Sequence, residues 1–242
     1  MKRFLLLALG LLLSPPAFAQ DPEPEVELVE QKFIIPINYV TVRNMTADQE
    51  AYDALVARFE AADPGMGLFD IAMLYFGWVF KPGYKGNFDV EHSPVERLMN
   101  EGDFQQAWDE GMAYLKENPL SLVTLKNLLS AGNAIGRPES EMNPLIFRFS
   151  KLLLMIFQTG DGFTESTAYK VISRSDEQIF MDRILGVQSH NGRMLTPTSI
   201  DRFDFVNATN FDRRFLYIDA SLAIHFGPKW EAEEIPEEET AE

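Results

Sequence analysis

The sequence predicts an α+β protein: a mainly helical N-terminal part containing a helix hairpin, followed by a small antiparallel β-meander. Three observations predict it. Apolar residues recur at helical spacing through residues 46–158. After Gly162 the texture changes to short runs that alternate apolar and polar residues between turn-forming clusters. Hydrophobic residues make up 46% of the 242, enough to bury one substantial core.

The chain opens on Lys2 and Arg3, continues through the apolar run Phe4 to Leu13, and reaches Ser14-Pro-Pro16 and Ala17-Phe-Ala19. A basic start, a short apolar stretch and small residues before a cleavage point are the parts of a secretory signal peptide, with cleavage expected before Gln20. The apolar run falls well short of the roughly 20 residues that a spanning helix needs. No cysteine follows it, which removes lipid anchoring. The mature chain is therefore expected to be exported, soluble and without a membrane span, in the periplasm or secreted.

Removing Lys2 and Arg3 leaves 19 basic residues against 37 acidic ones, a charge of −18. A field of that sign repels nucleic-acid backbones and anionic lipid, so neither is an expected partner. The absence of cysteine excludes disulfides, thiolate metal sites and cysteine nucleophiles. Acidic tails bracket the globular part: residues 20–45 read as an acidic linker and extended arm, and residues 229–242 as an acidic disordered tail. Between them, residues 46–228 form a single α+β domain, helical over 46–158 and β-rich over 165–226.

Taken in order, Phe33 to Val42 is β-rich, but Pro36 demotes it to an edge strand or packing arm. Thr46-Ala-Asp-Gln49 has the spacing of a capping box and starts a helix running to about Ala62, with Tyr52, Leu55, Val56 and Phe59 on one face. Leu68 to Phe80 is apolar and aromatic and reads as a mostly buried helix. Pro144 to Phe157 gives a further helix, ending before Thr159-Gly-Asp-Gly162. The β-leaning runs are Tyr169 to Arg174, Gln178 to Leu185, Arg202 to Asn207 and Arg214 to His225. Turns are expected at Ser175-Asp-Glu177, Asn191-Gly-Arg193 and Asn207-Ala-Thr-Asn210.

Gly102-Asp-Phe104, Ala107, Gly111, Tyr114 and Pro119 resemble the second helix of a tetratricopeptide repeat (TPR). Leu122, Leu125, Leu128 and Leu129, running into Ala131-Gly-Asn-Ala-Ile-Gly136, are similar to the first helix of a following repeat, with Gly136 at the turn. Little more than one repeat is covered, so this is a TPR-like hairpin inside a globular domain. Two further signatures frame it: Leu74-Tyr-Phe-Gly-Trp-Val-Phe80 with Pro82-Gly-Tyr84, and Thr159-Gly-Asp-Gly-Phe-Thr164 with Thr167-Ala-Tyr-Lys-Val-Ile-Ser173 and Asp176-Glu177. In this order they resemble an exported bacterial family, a domain of unknown function numbered 4919, over about Tyr52 to Phe226. Gln178 stands where the family has a tyrosine, and Phe215-Leu-Tyr-Ile-Asp219 where it has a Tyr-Phe-Asn strand. The resemblance implies a bacterial envelope setting and brings no reaction with it.

Asp161, between two glycines, is read either as a general base or metal ligand or as a turn residue bonding local N–H groups; the turn is the favoured reading. Asp176 and Glu177 offer a carboxylate pair, but sequence neighbours on a strand or turn point apart, so a hairpin corner is favoured. His92, His190 and His225 have no metal-ligand spacing, and no Gly-x-Ser-x-Gly or phosphate-binding loop occurs. No catalytic set, metal site or cofactor is assigned. Tyr75, Phe76, Trp78, Phe80 and Tyr84 line either a ligand groove or the core, with Trp78 and Tyr84 the members expected to reach the surface. The leading functional expectation is a non-enzymatic binding or interaction module for an envelope protein or peptide. The alternative is a hydrolase using Asp161 with a neighbouring carboxylate.

Overall fold

The computed structural model describes residues 34–84, 86 and 94–226; the expected signal peptide, the expected acidic linker up to Phe33 and the expected tail from residue 229 lie outside them. Residues 34–38 form no helix or strand, and the Ile35 N–H donates to the Gln158 carbonyl at 2.7 Å. The arm then turns into helix α1 (Tyr39–Met45), so the β-reading of residues 39–42 is corrected. Asn38 begins the helix by accepting from the Thr41 N–H. Helix α2 (Gln49–Glu60) starts from Asp48, not Thr46. The Thr46 hydroxyl instead donates back to the Val42 carbonyl at the end of α1. The apolar stretch forms α3 (Leu68–Gly77), continued by one tighter turn, Trp78–Phe80. Ile71 through Gly77 are all buried there, while Phe69 faces solvent.

Helices α4 (Pro94–Glu101), α5 (Phe104–Glu117), α6 (Leu122–Ala134) and α7 (Glu139–Phe157) follow, each packed on the next. Ala107 is fully buried, and a Cβ placed on Gly111 would lie 2.8 Å from Leu128 Cδ2. The small residues of α5 thus let α6 approach closely. Helix α7 begins five residues ahead of Pro144 and carries that proline inside its N-terminal part.

The described strands build a four-stranded sheet in the order β1-β4-β3-β2. Strands β2 (Val187–Leu195), β3 (Asp201–Ala208) and β4 (Phe215–Asp219) are consecutive and antiparallel, which is the expected meander. The two-residue strand β1 (Tyr169–Lys170) adds to β4 in parallel, making the sheet mixed.

Three local readings are corrected. Residues 174–185 are helical: α8 (Arg174–Phe180), capped by Ser173, runs into a π-helical turn, Met181–Leu185. Asn191-Gly-Arg193 lies within β2, and the β2–β3 turn is at 196–200. The chain after β4 closes with α9 (Ser221–Phe226), so only the first part of the 214–225 run is strand. One apolar core joins α2, α3, α5, α6 and α7 to α8 and the sheet, with Tyr75 and Phe76 in the same cluster as Phe180, Phe203 and Leu216. Helices on one side and a mostly antiparallel sheet on the other constitute an α+β fold.

Candidate functional site

The two signature segments meet. Tyr75 sits on α3, fully buried, and its hydroxyl donates to Asp176 Oδ2 at 2.7 Å across 101 positions of chain. The same hydroxyl accepts the Ile172 N–H at 3.1 Å. Burial first, and then the nearby Asp176 charge, hold the Tyr75 hydroxyl firmly protonated, so it stays a donor. Tyr84 arrives from the turn after α3 and donates to the Ile172 carbonyl. It is buried, which corrects the expectation that it reaches the surface; Trp78 is the half-buried member.

Asp176 is 2% exposed and stands in the first turn of α8, where its own N–H donates to the capping Ser173 Oγ at 3.1 Å. A carboxylate there is favoured by the positive end of the helix dipole. Trp78, Tyr84, Asn118, Ser121, Ser173 and Asp176 are among the residues bounding a cleft of about 30 Å³. That is room for one or two water-sized groups. Asn118 and Ser121 come from the α5–α6 connection, where Ser121 Oγ caps α6 and bonds Thr124 Oγ1 at 2.9 Å. The cleft is thus bounded by both signatures and by the helix hairpin between them.

Glu177 does not share this cleft. It points the other way, 2% exposed, toward Arg193 on β2 and Asp201 at the start of β3. Arg193 grips Asp201 with two bonds, Nε to Oδ1 at 2.9 Å and Nη2 to Oδ2 at 2.8 Å, and reaches Glu177 Oε2 at 3.0 Å. Burial outweighs the Arg193 attraction, and Asp201 adds repulsion, so the Glu177 carboxyl is pushed up to about 8. The adjacent acids therefore do point apart as expected, but from a buried helix and not from a hairpin corner. They bind α8 to two different parts of the fold.

Asp161 lies elsewhere again. Its Oδ1 accepts the Phe163 N–H at 2.9 Å, an Asx turn, and its own N–H donates to the Thr167 carbonyl. Gly162 takes φ of +71°, and a Cβ on Gly160 would lie 2.3 Å from the Thr167 carbonyl oxygen, so both glycines are required sterically. His190 edges onto the Phe203 ring from β2, and His92 lies outside the described residues. Among the described residues, no group of three His, Asp or Glu side chains is placed to hold a metal ion.

Sequence reasoning did not find Ser173, Ser121, Asn118, Arg193 or Asp201. Ser173-x-x-Asp176 is a legible helix-start spacing that could have revealed the first. Nothing local marks Arg193 and Asp201, whose meeting depends on strand register. Comparison with curated proteins and with solved structures gives no match. A family model for a domain of unknown function, DUF4919, matches residues 39–224, and its span takes in both signatures and the cleft between them. The chain belongs to that family.

Proposed function

We propose that the mature chain is an exported, non-enzymatic binding protein whose ligand enters the cleft bounded by Trp78, Tyr84 and Asp176. The observation that carries this reading is the convergence itself: Tyr75, 101 positions away, bonds Asp176 at 2.7 Å and fixes it in the wall of a recess that Trp78 and Tyr84 also line. Binding is favoured over catalysis because, among the described residues, the lining carries a single carboxylate and no histidine, and its serine hydroxyls act as helix caps. The α5–α6 pair, with Gly111 seated against Leu128, supports the TPR-like reading and supplies the Asn118–Ser121 wall. An envelope protein or peptide remains the favoured partner class. Export rests on the tripartite start of the chain, and among the described residues no helix is long and apolar enough to cross a membrane.

The test is a thermal-shift screen of the chain from Gln20 onward against peptides and small molecules of the envelope, run beside Trp78→Leu. At least one compound should raise the melting temperature of the parent protein and fail to raise that of the variant. Stabilisation that is identical in both, or none at all, overturns the cleft as the site. The N-terminus is checked separately, by mass spectrometry of protein recovered from its host. A start at or near Gln20 is expected, and an intact Met1 on exported protein overturns the export reading.

A further inference from the structure

We propose that a groove between helix α7 and the π-helical turn binds a single-chain fatty acid, acyl chain along the groove and carboxylate at one end. Among the described residues it shares none of the lining of the cleft above, and it does not depend on that reading.

Two adjoining recesses form the groove. The larger, about 580 Å³, is walled by Phe149, Leu153, Leu154 and Ile184. The smaller, about 280 Å³, shares Phe149 and Arg183 with it and extends to Lys126 and Asn133 on α6. One end is therefore hydrocarbon and the other carries two cations. The turn Met181–Leu185 supplies both kinds of wall from consecutive residues, Arg183 and Ile184, and single π-helical turns recur at functional sites.

Three observations choose the occupant. First, apolar side chains stand open together there. Leu154 is 42% exposed, and Phe149 and Ile184 are only partly buried against the core. A contiguous apolar patch, unlike a lone exposed leucine, marks a surface that something covers. At about 30 Å³ for a water-sized group such as a methylene, the larger recess has room for a chain of roughly ten carbons or more. Second, the apolar stretch offers little to a peptide backbone. Besides Arg183, its described polar side chains are Ser150 and Asn210, and the Asn210 amide already donates to the Ile184 carbonyl at 3.0 Å. A hydrocarbon chain needs no such partners. Third, the charges select the head group. Among the described residues Lys126 makes no ion pair, and Arg183 meets only the exposed Asp182 beside it, at 3.1 Å. Asp182 is in neither described lining. Two cations and the Asn133 amide in one recess suit a carboxylate. The whole-molecule charge of −16 opposes anions at long range, but salt screens it beyond about 8 Å, and within that distance Lys126 and Arg183 decide. A bilayer face presents many charges to that field, a fatty acid only one.

The experiment titrates octanoate, decanoate, dodecanoate, 1-decanol and decylamine, each below its micelle concentration, into the chain from Gln20 onward. Heat is read by calorimetry, and the methyl groups of Leu153, Leu154 and Ile184 by NMR. The carboxylates should bind and move those methyl signals, with affinity rising about two- to fourfold per methylene. Decanol and decylamine should bind about tenfold more weakly than decanoate, the worth of a lost charge-assisted hydrogen bond. The double variant Lys126→Gln, Arg183→Gln should bring decanoate down to the level of decanol. Leu154→Asp should weaken every chain about tenfold or more. All three positions are at least partly exposed, so both variants should fold. Affinity independent of chain length, unmoved methyl signals, or equal binding of decanol or decylamine overturns the assignment. So does a double variant that binds decanoate as the parent does. Tighter binding to phosphatidylglycerol vesicles than to decanoate would give the groove to a membrane surface. A ligand-free dimer that Leu154→Asp dissolves would give it to a second copy of the chain. Either result sinks the fatty-acid proposal.

Discussion

At Gly160-Asp161-Gly162 the side chain that looks most chemical is the one most occupied with its own backbone. Asp161 closes an Asx turn onto the Phe163 N–H, and an amide oxygen at that position accepts the same bond. Asp161→Asn should therefore cost about 1 kcal/mol or less. Gly162→Val should cost about 2 kcal/mol or more, since φ is +71° and a Cβ would fall 2.6 Å from Leu216 Cδ1 and 2.7 Å from Tyr169 Cε2. Denaturant midpoints of the two variants check the order. Loss of ligand binding or of a host phenotype in an Asp161→Asn protein that melts normally would instead make Asp161 a site residue. Glu177 presents the opposite case, a residue dismissed as a corner that turns out to be buried and electrostatically loaded. Its folded-state value of about 8 lies above the ordinary 4.5, so the folded protein binds more protons than the unfolded chain between those values. Stability contributed by the protonated form is complete below pH 4.5 and is lost as pH rises towards 8. The melting temperature of the parent should fall across that window, and Glu177→Gln, neutral throughout, should flatten the fall. A variant profile parallel to the parent's would mean that Glu177 is ionised in the fold.

Among the elements, the helices were legible and the segment after Gly162 was only partly so. Helices α2, α3, α5 and α6 announce themselves by apolar spacing, and the turn between α6 and α7 by Gly136, which has positive φ, whereas α4 was not read from the sequence. The start of α1 was missed because Phe33 to Val42 is rich in β-branched and aromatic residues, while Asn38 caps a helix in its middle. Helix α8 was missed for the same reason. Ile179 and Phe180 look like strand residues, but the Ser173 cap and the burial of both side chains override that propensity. The cleft was half legible: its aromatic wall and Asp176 lie in quotable signatures, whereas its partners depend on how α8 packs. The hairpin gives the sharpest test at this scale. Ala107 is fully buried, so Ala107→Phe should destabilise by about 1–3 kcal/mol through overpacking. An unchanged denaturation midpoint would mean that α5 and α6 are not pressed together there.

Across the whole molecule, the helical part and the sheet share one apolar cluster, and the Tyr75–Asp176 bond spans them inside it. Neither part carries a separate core to fall back on, so unfolding should be a single cooperative event. Ellipticity at the helical wavelength reports mainly on α1 to α7. Near-ultraviolet signals from Tyr169 and Tyr217 would report on the C-terminal part, but all the tyrosines overlap. A 4-fluorophenylalanine placed on the sheet at Phe203, buried against the same cluster and read by fluorine NMR, separates the two. In that background the helical and sheet transitions should coincide. Tyr75→Phe should then shift both together by the same amount, about 1–3 kcal/mol, because it removes the donor to a buried carboxylate and the acceptor of the Ile172 N–H without changing shape. If Tyr75→Phe lowers only the sheet transition, the C-terminal part melts on its own. The cleft would then be an interface between two units that open independently, with the buried tyrosine acting as their hinge contact and not as a strut of one core.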